Sequence, residues 1–288
     1  MEEKIRFENS LYDPQTDDIG YNISDIEFLV DRLVCLPLVR PFLLEKAVTL
    51  CVKYASTINF LRKLLSESKE CPVLIYRLYK RGVISFQEIE PILRSTDSTI
   101  YCYYFRKEFI DFELFAKKNN HFVDFDRSLI KDDEEIDRII QYGFHPSSIE
   151  YCLKYDDIDV LRDLNINDNG IAKWSPFEWS YKLNFLDYLS FSGYFGSINC
   201  FKHLIINGYQ ITDSVKSSVV CSGSFDLFRL CNGSIIIPQS IFCAAQFCRL
   251  SLLSFFLENS IDISIKDECI RKCFLILLFF IIPLNLVI

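Results

Sequence analysis

The sequence has few of the residues that build catalytic and cofactor-binding sites. It contains three histidines, His121, His145 and His203, and they lie far apart in the chain. With nine glycines, phosphate-binding loops are scarce, and no Walker loop, dinucleotide-binding glycine pattern or nucleophile elbow is present. An enzyme is therefore the remote hypothesis, and we expect no catalytic residue and no cofactor.

Basic clusters and zinc-binding cysteine patterns are missing too. The net charge of -8 argues against a nucleic-acid partner, because such binders neutralise phosphates with Lys and Arg. The closest pairs among the twelve cysteines, Cys243/Cys248 and Cys269/Cys273, lack the Cys-x-x-Cys spacing and a matching histidine pair, so we expect no metal site. The chain opens without an apolar signal segment. We therefore interpret the cysteines as reduced core residues of a cytoplasmic protein.

Apolar residues are plentiful, and their spacing is helical. Half of the residues are hydrophobic, and a sustained strand-like alternation is missing. A capping box at Ser24 and Glu27 predicts the start of a first helix, which Pro37 should stop, and Pro41 suits the first position of the next. Further helices are predicted over 56–67, over 72–81 with Gly82 as C-cap, over 86–94 with a capping box at Ser85 and Glu88, and over 100–115. We expect an all-α fold that begins with helical hairpins.

A short phrase recurs in the second half of the chain. After an acidic run at 132–135, which favours a helix start, similar apolar stretches follow Asp156, Gly196, Gly223 and Cys248. These positions are 40, 27 and 25 residues apart. Recurrence at a spacing of a few tens of residues predicts a stacked helical array.

The repeated phrase resembles the ankyrin repeat. Ala244 and Ala245 match the paired small residues of its first helix, and 250–267 match its second helix and following loop. The segments 142–157 and 174–181 look like the two characteristic marks of the divergent ankyrin-repeat proteins that are expanded in parasitic protists. The resemblance implies an ankyrin-like helical-repeat solenoid. It divides the chain into a loose N-terminus (1–20), an N-terminal helical-hairpin region (21–130), about four degenerate repeats (131–268) and an apolar tail (269–288).

The same resemblance implies a function. The chain is expected to be a non-enzymatic scaffold or adaptor that binds an unidentified protein partner. In ankyrin-repeat proteins, partners contact the loop tips and the face of the first helix, and the matching positions here are Tyr209, Gln210, Asp213, Asp262 and Lys266. The Thr-Pro-Leu-His opening of the family is missing from every copy, which leaves the geometry of the turns open.

Two segments allow more than one interpretation. Residues 174–181 hold both tryptophans and form either a peptide-binding platform or, as we favour, a hydrophobic plug over the first repeat. The apolar segment 274–288 is a membrane anchor, a last buried helix or a truncated gene end, and the last is favoured because a solenoid needs a polar cap. As a helix the segment would reach about 22 Å, short of the ~30 Å hydrocarbon core. Because a membrane anchor is still one of the three interpretations of 274–288, a tail-anchored membrane adaptor is the alternative function.

Overall fold

The computed structural model describes residues 7, 10–12, 25–67, 71–95, 103–109, 133–164, 166, 170–173, 175–179, 186–231 and 238–259. Within these residues every regular element is a helix or a 3-10 turn, apart from one antiparallel bridge between Ile171 and Asp187. The prediction of an all-α fold is thus confirmed for this part of the chain. Two compact units are present: residues 1–140 with 176–181, and residues 141–175 with 182–288.

The first unit is built from short helices that pack as hairpins. They are α1 (Ile26–Val39), α2 (Leu44–Tyr54), α3 (Ile58–Ser66), α4 (Pro72–Lys80), α5 (Phe86–Ser95) and α6 (Asp133–Tyr142), which begins in this unit, with 3-10 turns at Pro41–Leu43 and Arg106–Glu108. Helix α1 packs against α2 and α3, and α2 packs against α4. The side chains of Leu29, Val48, Leu64 and Leu78 are buried in this core.

Several local predictions for this unit are confirmed. Helices α3, α4 and α5 lie within two residues of their predicted ranges, and α6 begins in the acidic run. Gly82 follows α4 with φ +69°, as a C-cap glycine should. The Glu88 carboxylate accepts hydrogen bonds from the backbone N–H of Ser85 (2.8 Å) and from its hydroxyl (2.7 Å), and both bonds lower the pKa of Glu88.

Other local predictions for the unit were wrong. The N-cap of α1 is Asp25, whose carboxylate accepts from the N–H of Phe28 at 3.1 Å; Ser24 lies outside the described residues. Pro37 does not stop α1, which continues to Val39, because a proline in the last turn removes only one backbone bond. The helix predicted over 100–115 is interrupted, since the 3-10 turn ends at Phe109 in extended backbone (φ -88°, ψ 135°).

The segment 176–181 belongs to the first unit, which corrects its predicted position over the first repeat. Phe177 is 1% exposed, and its ring lies 5.8 Å from that of Tyr104. The Tyr104 hydroxyl donates to the Phe177 carbonyl at 3.4 Å, and Trp179 Nε1 donates to the Pro41 carbonyl at 3.3 Å. The described residues of this segment therefore act as core of the N-terminal unit, and Trp174 lies outside them. The burial of Phe177 argues against an open peptide platform.

A buried arginine ties the second 3-10 turn to α6. Arg106 is 6% exposed, and its Nη2 donates to Asp137 Oδ1 (2.6 Å) and to the Asp133 carbonyl (2.9 Å). Its Nε lies 3.3 Å from Asp133 Oδ1, and Lys107 also pairs with Asp137. Burial opposes the ionisation of Asp137, but the hydrogen bonds from Lys107 and Arg106 outweigh it and lower the pKa of this carboxyl.

The second unit contains successive helix pairs. They are α7 (Ile149–Tyr155) with α8 (Ile158–Asp163), α9 (Tyr188–Phe195) with α10 (Ile198–Ile206), α11 (Asp213–Ser222) with α12 (Phe225–Leu230), and α13 (Pro238–Gln246) with α14 (Leu250–Asn259). The first helices of neighbouring pairs pack in a row, α7 on α9, α9 on α11 and α11 on α13, and α8 packs on α10. Each pair thus covers an apolar face of the pair before it.

Each pair turns at one residue in the left-handed backbone region. These residues are Asp156 (φ +58°), Gly196 (+81°), Gly223 (+81°) and Cys248 (+50°). They are the four positions at which the phrase recurs in the sequence. In three of the turns the next N–H bonds to the carbonyl five residues before it, at 3.0, 3.0 and 2.7 Å, as in a Schellman motif.

Burial follows the same register in every pair. The residues four and three positions before the left-handed residue are buried: Cys152/Leu153, Ser192/Gly193, Val219/Val220 and Ala244/Ala245. In the last three second helices, the residues four, five and eight positions after it are buried: Cys200/Phe201/Leu204, Leu227/Phe228/Cys231 and Leu252/Leu253/Phe256. Helix α8 keeps only Leu161 of this set, which marks the first pair as the most degenerate.

Candidate functional site

The α10–α11 tip, defined as residues 206–213, is the exposed loop that holds most of the predicted contact residues. Helix α10 ends in a second left-handed glycine, Gly208, with φ +94°. The Gly208 N–H bonds to the Ile205 carbonyl at 3.0 Å, and the Tyr209 N–H bonds to the Leu204 carbonyl at 3.1 Å. At the far end, Thr212 Oγ1 accepts from the N–H of Val215 at 3.3 Å and caps α11. Backbone hydrogen bonds therefore fix the tip at both ends.

Three of the five predicted contact residues meet at this tip. Tyr209 is half-buried, and Gln210 and Asp213 are exposed. Gln210 Nε2 donates to the Gly208 carbonyl at 3.0 Å, and the Asp213 carboxylate lies 3.0 Å from Lys216 Nζ. The other two, Asp262 and Lys266, lie outside the described residues, as does the apolar segment 274–288.

Sequence reasoning missed one residue of the tip. Ile206, the last residue of α10, is 83% exposed, more than any other large apolar side chain of the described residues. Leu204, eight residues after the left-handed Gly196, is buried. Ile206 comes ten residues after Gly196 and so points away from the core. Counting from that turn would have identified it. Its exposure gives the tip an apolar element beside the polar Gln210 and Asp213.

The first two turns of the second unit are joined by hydrogen bonds at the start of α10, the opposite end of that helix from the tip. The Asp156 carboxylate accepts from the N–H of Cys200 (2.8 Å), the N–H of Asn199 (3.2 Å) and the Asn199 amide (2.9 Å). The Ser197 hydroxyl donates to the Leu153 carbonyl. Each turn is therefore held by polar groups of the neighbouring pair, which fixes the position of α10 and of the tip that follows it.

The later turns are packed closely on each other. Arg249 Nε donates to the Cys221 carbonyl at 2.5 Å, and its side chain covers the turn at Gly223. A Cβ atom on Gly223 would lie 2.8 Å from Arg249 Cδ, so a larger residue would have to displace the Arg249 side chain in addition to adopting the positive φ. At the preceding turn, a Cβ on Gly196 would lie 3.6 Å from Ser222 Cβ, an ordinary contact.

A buried lysine sits in the first pair. Lys154 is 1% exposed, and its Nζ donates to the Tyr142 carbonyl at 3.0 Å. The ammonium lies 5.2 Å from the ring centre of Tyr155 and 5.6 Å from that of Phe195, distances at which the ring faces attract a cation. No sequence signal separates this lysine from surface lysines, because its partners come from three different segments.

Two cysteines of the described residues, Cys152 and Cys231, lie in surroundings that suppress the ionisation of their thiols. Burial raises the pKa of the Cys152 thiol to about 11 and that of Cys231 to about 11, so both remain protonated and poorly nucleophilic. His145 Nδ1 lies 2.7 Å from the Ser147 hydroxyl, and His203 is half-buried on α10. Within the described residues, no three His, Cys, Asp or Glu side chains are grouped as a metal site.

Two further findings concern membrane-spanning helices and similarity to known proteins. Among the helices of the described ranges, none has the length and hydropathy required to cross a bilayer. The chain matches no protein-family model, and no significant match is found among the curated proteins or the solved structures. What the molecule does must therefore be inferred from its own geometry.

Proposed function

We propose that this chain is a cytoplasmic, non-enzymatic scaffold or adaptor, whose ankyrin-like helix pairs form a helical-repeat solenoid that binds another protein. The observation that carries the proposal is the recurrence of one left-handed turn in four helix pairs. At each turn, a pair of buried residues precedes the left-handed residue by three and four positions. Helix pairs of this kind bury an apolar face only by stacking, which leaves their loop tips free for partners.

The α10–α11 tip is the surface that we assign to the partner. It combines an exposed apolar side chain, Ile206, with the half-buried ring of Tyr209 and the polar ends of Gln210 and Asp213. Protein interfaces often use such an aromatic residue surrounded by polar groups. Because hydrogen bonds hold the tip at Gly208 and Thr212, a partner would not need to order it, which lowers the entropic cost of binding.

The test compares partners captured by the tagged full-length chain and by a tip variant, Tyr209→Ala/Gln210→Ala/Asp213→Ala, with quantitative mass spectrometry. A matched control, Asp226→Ala/Arg229→Ala, removes two exposed charges from α12. We expect the tip variant to lose at least one captured protein that the control retains. After purification, that captured protein should bind the wild-type chain directly. Identical capture by the wild type, the control and the tip variant would overturn the proposal.

A further inference from the structure

The turn that follows α4 in the first unit, residues 80–83 and called the α4 turn, has the same geometry as the glycine turn at the start of the α10–α11 tip. Gly82 and Gly208 both have positive φ, +69° and +94°. The Gly82 N–H bonds to the Tyr79 carbonyl at 2.8 Å, where Gly208 bonds to Ile205 at 3.0 Å. The next N–H, that of Val83, bonds to the carbonyl five residues before it at 3.0 Å, against 3.1 Å at the α10–α11 tip. A Cβ on either glycine would meet nothing within 4 Å, so both are required by φ alone.

The helices before the two turns share the same buried positions. In α4 the residues eight, seven and four positions before the glycine are buried, and so are their counterparts in α10: Leu74/Ile75/Leu78 and Cys200/Phe201/Leu204. Exposure also agrees, because the two residues before each glycine are exposed and the one after it is half-buried. The α4 turn therefore presents a tip of the same kind, although sequence comparison placed no repeat in this region.

The two tips differ in charge. Where the α10–α11 tip has Ile206 and Asn207, the α4 turn has Lys80 and Arg81, with Arg77 one helical turn earlier. Lys80 Nζ lies 5.4 Å from the ring centre of Tyr76, in cation–π contact. The negative pole at the C-terminal end of a helix stabilises nearby cations, so the helix dipole favours basic residues at this turn.

The exposed carboxylate of Glu45, on α2, lies against this basic tip. Its Oε2 is 2.8 Å from Arg81 Nη2, and its Oε1 is 3.7 Å from Arg77 Nε. The side chains of Glu45 and Arg81 are 59% and 43% exposed, so another carboxylate can reach the Arg81 guanidinium. Burial raises the pKa of Tyr79 to about 12, and the carboxylate of the nearby Glu108 contributes to the same shift.

We propose that the α4 turn, with Lys80 and Arg81 at its tip, is a second partner-binding site that takes an acidic peptide segment. A carboxylate of that segment replaces Glu45 on Arg81, and a second one pairs with Lys80. Arg81 suits this role because its planar guanidinium binds a carboxylate through two parallel hydrogen bonds. The proposal rests on the proposed function in one respect, since it assigns the α4 turn the partner-binding role given to the α10–α11 tip.

The test is the fluorescence anisotropy of a dye-labelled glutamate–serine peptide titrated with the full-length chain at physiological salt. Because the chain carries a net charge of -8, diffuse attraction for such a probe is weak and local binding stands out. We expect Lys80→Gln/Arg81→Gln to weaken binding about tenfold or more. Glu45→Gln should strengthen it by about two- to fivefold, the range of one exposed ion pair. All three substituted positions are exposed, and circular dichroism melting checks that the variants fold.

The matched control is Arg94→Gln, which removes an exposed arginine in a 2.6 Å ion pair with Glu90 on α5. This control should bind the probe like the wild type. Equal weakening by the control and by the Lys80/Arg81 variant would overturn the proposal, and so would the absence of any gain from Glu45→Gln. The variant at Tyr209, Gln210 and Asp213 should bind the acidic peptide normally, so a failure at one tip is distinguishable from a failure at the other.

Discussion

The carboxylate of Asp156 caps helix α10 from the preceding pair by accepting the backbone N–H of Cys200 at 2.8 Å. The first turn of a helix leaves N–H groups without partners, and an N-cap side chain usually takes one. The N-cap residue of α10 is Ser197, but its hydroxyl donates to the Leu153 carbonyl instead. The cap therefore comes from another pair, and it couples the folding of α10 to the position of the Asp156 turn.

Two substitutions of Asp156 separate its two roles. Asp156→Gly removes the cap, which costs about 1 kcal/mol, but it also relieves the left-handed side chain at the expense of glycine entropy, so we expect the free energy of unfolding to fall by only about 0.5 kcal/mol. Asp156→Ala removes the cap and keeps a Cβ in the left-handed region, as the wild type does, so we expect a larger loss of about 1–2 kcal/mol. Urea unfolding monitored by circular dichroism measures both values.

The order of the two variants is the decisive result. If the alanine variant is no less stable than the glycine variant, the φ of +58° costs nothing and the turn is not strained as described. A control, Asp159→Ala, removes an exposed acid of α8 that pairs with Arg162 at 3.5 Å, and it should change stability by less than about 0.5 kcal/mol.

The buried ammonium of Lys154 gives a second prediction. Lys154→Met keeps the shape of the side chain and removes the charge together with the hydrogen bond to the Tyr142 carbonyl, which the Tyr155 hydroxyl also reaches at 3.0 Å. We expect the methionine variant to remain within about 1 kcal/mol of the wild type, because replacing a buried charge by an apolar isostere is often neutral. Lys154→Ala should cost about 3 kcal/mol through the cavity it leaves. Equal losses in urea unfolding for both variants would show that the charge, rather than the packing, carries the stability.

The ion pairs of Asp137 predict a dependence of stability on pH. Its pKa in the folded protein is lowered from 3.8, so the folded state holds fewer protons than the unfolded state in acid. The stabilisation by Asp137 is therefore complete above the unfolded pKa and is lost as the pH falls through the folded pKa. Asp137→Asn, which takes a partner from the buried Arg106, should cost about 1–2 kcal/mol at pH 7 because Asp137 is partly exposed and screened. The gap to the wild type should shrink as the pH falls below the ordinary value of 3.8, and it should close only below the lowered pKa of Asp137.

A matched control for this titration lies on the same helix. Glu134→Gln removes an 82% exposed carboxylate that lies 3.8 Å from Arg138. Its difference from the wild type should stay close to zero across the same pH range, because exposed pairs contribute little. A gap for Asp137→Asn that is constant with pH would contradict the lowered pKa.

Much of the helical framework was predictable because its signals are local. Three of the helices end at glycines in the left-handed region, Gly82, Gly196 and Gly223. The cap at Ser85 involves Glu88, which is only three residues away. The phrase that follows Gly196 and Gly223 also recurs after Asp156 and Cys248, where no glycine stands. These features require no knowledge of distant contacts.

The remaining features depend on contacts between distant parts of the chain. Asp156 and Cys200 are 44 residues apart, and the local sequence around them does not indicate that the Asp156 carboxylate will cap the helix that contains Cys200. Phe177 packs beside Tyr104, which is 73 residues away in the sequence. Because the segment around Phe177 lies between copies of the repeated phrase, the sequence alone favours assigning it to the repeats. Gly82 was predicted as a C-cap, but the likeness of its turn to the α10–α11 tip was not, because the connection between α3 and α4 is longer than the two-residue turns of the second unit.

The fourth turn provides the sharpest comparison with Asp156. Cys248 has φ +50° at the position that glycine occupies in the second and third pairs. Cys248→Gly removes the cost of a left-handed side chain, about 1–2 kcal/mol, and adds the backbone entropy of glycine, about 0.5–1 kcal/mol. We expect a net stabilisation of about 0.5 kcal/mol in urea unfolding, whereas Asp156→Gly destabilises because the Asp156 carboxylate caps α10. The same substitution at equivalent turns should therefore have opposite signs, and equal destabilisation at both would mean that the Cys248 side chain holds its turn as Asp156 holds the first.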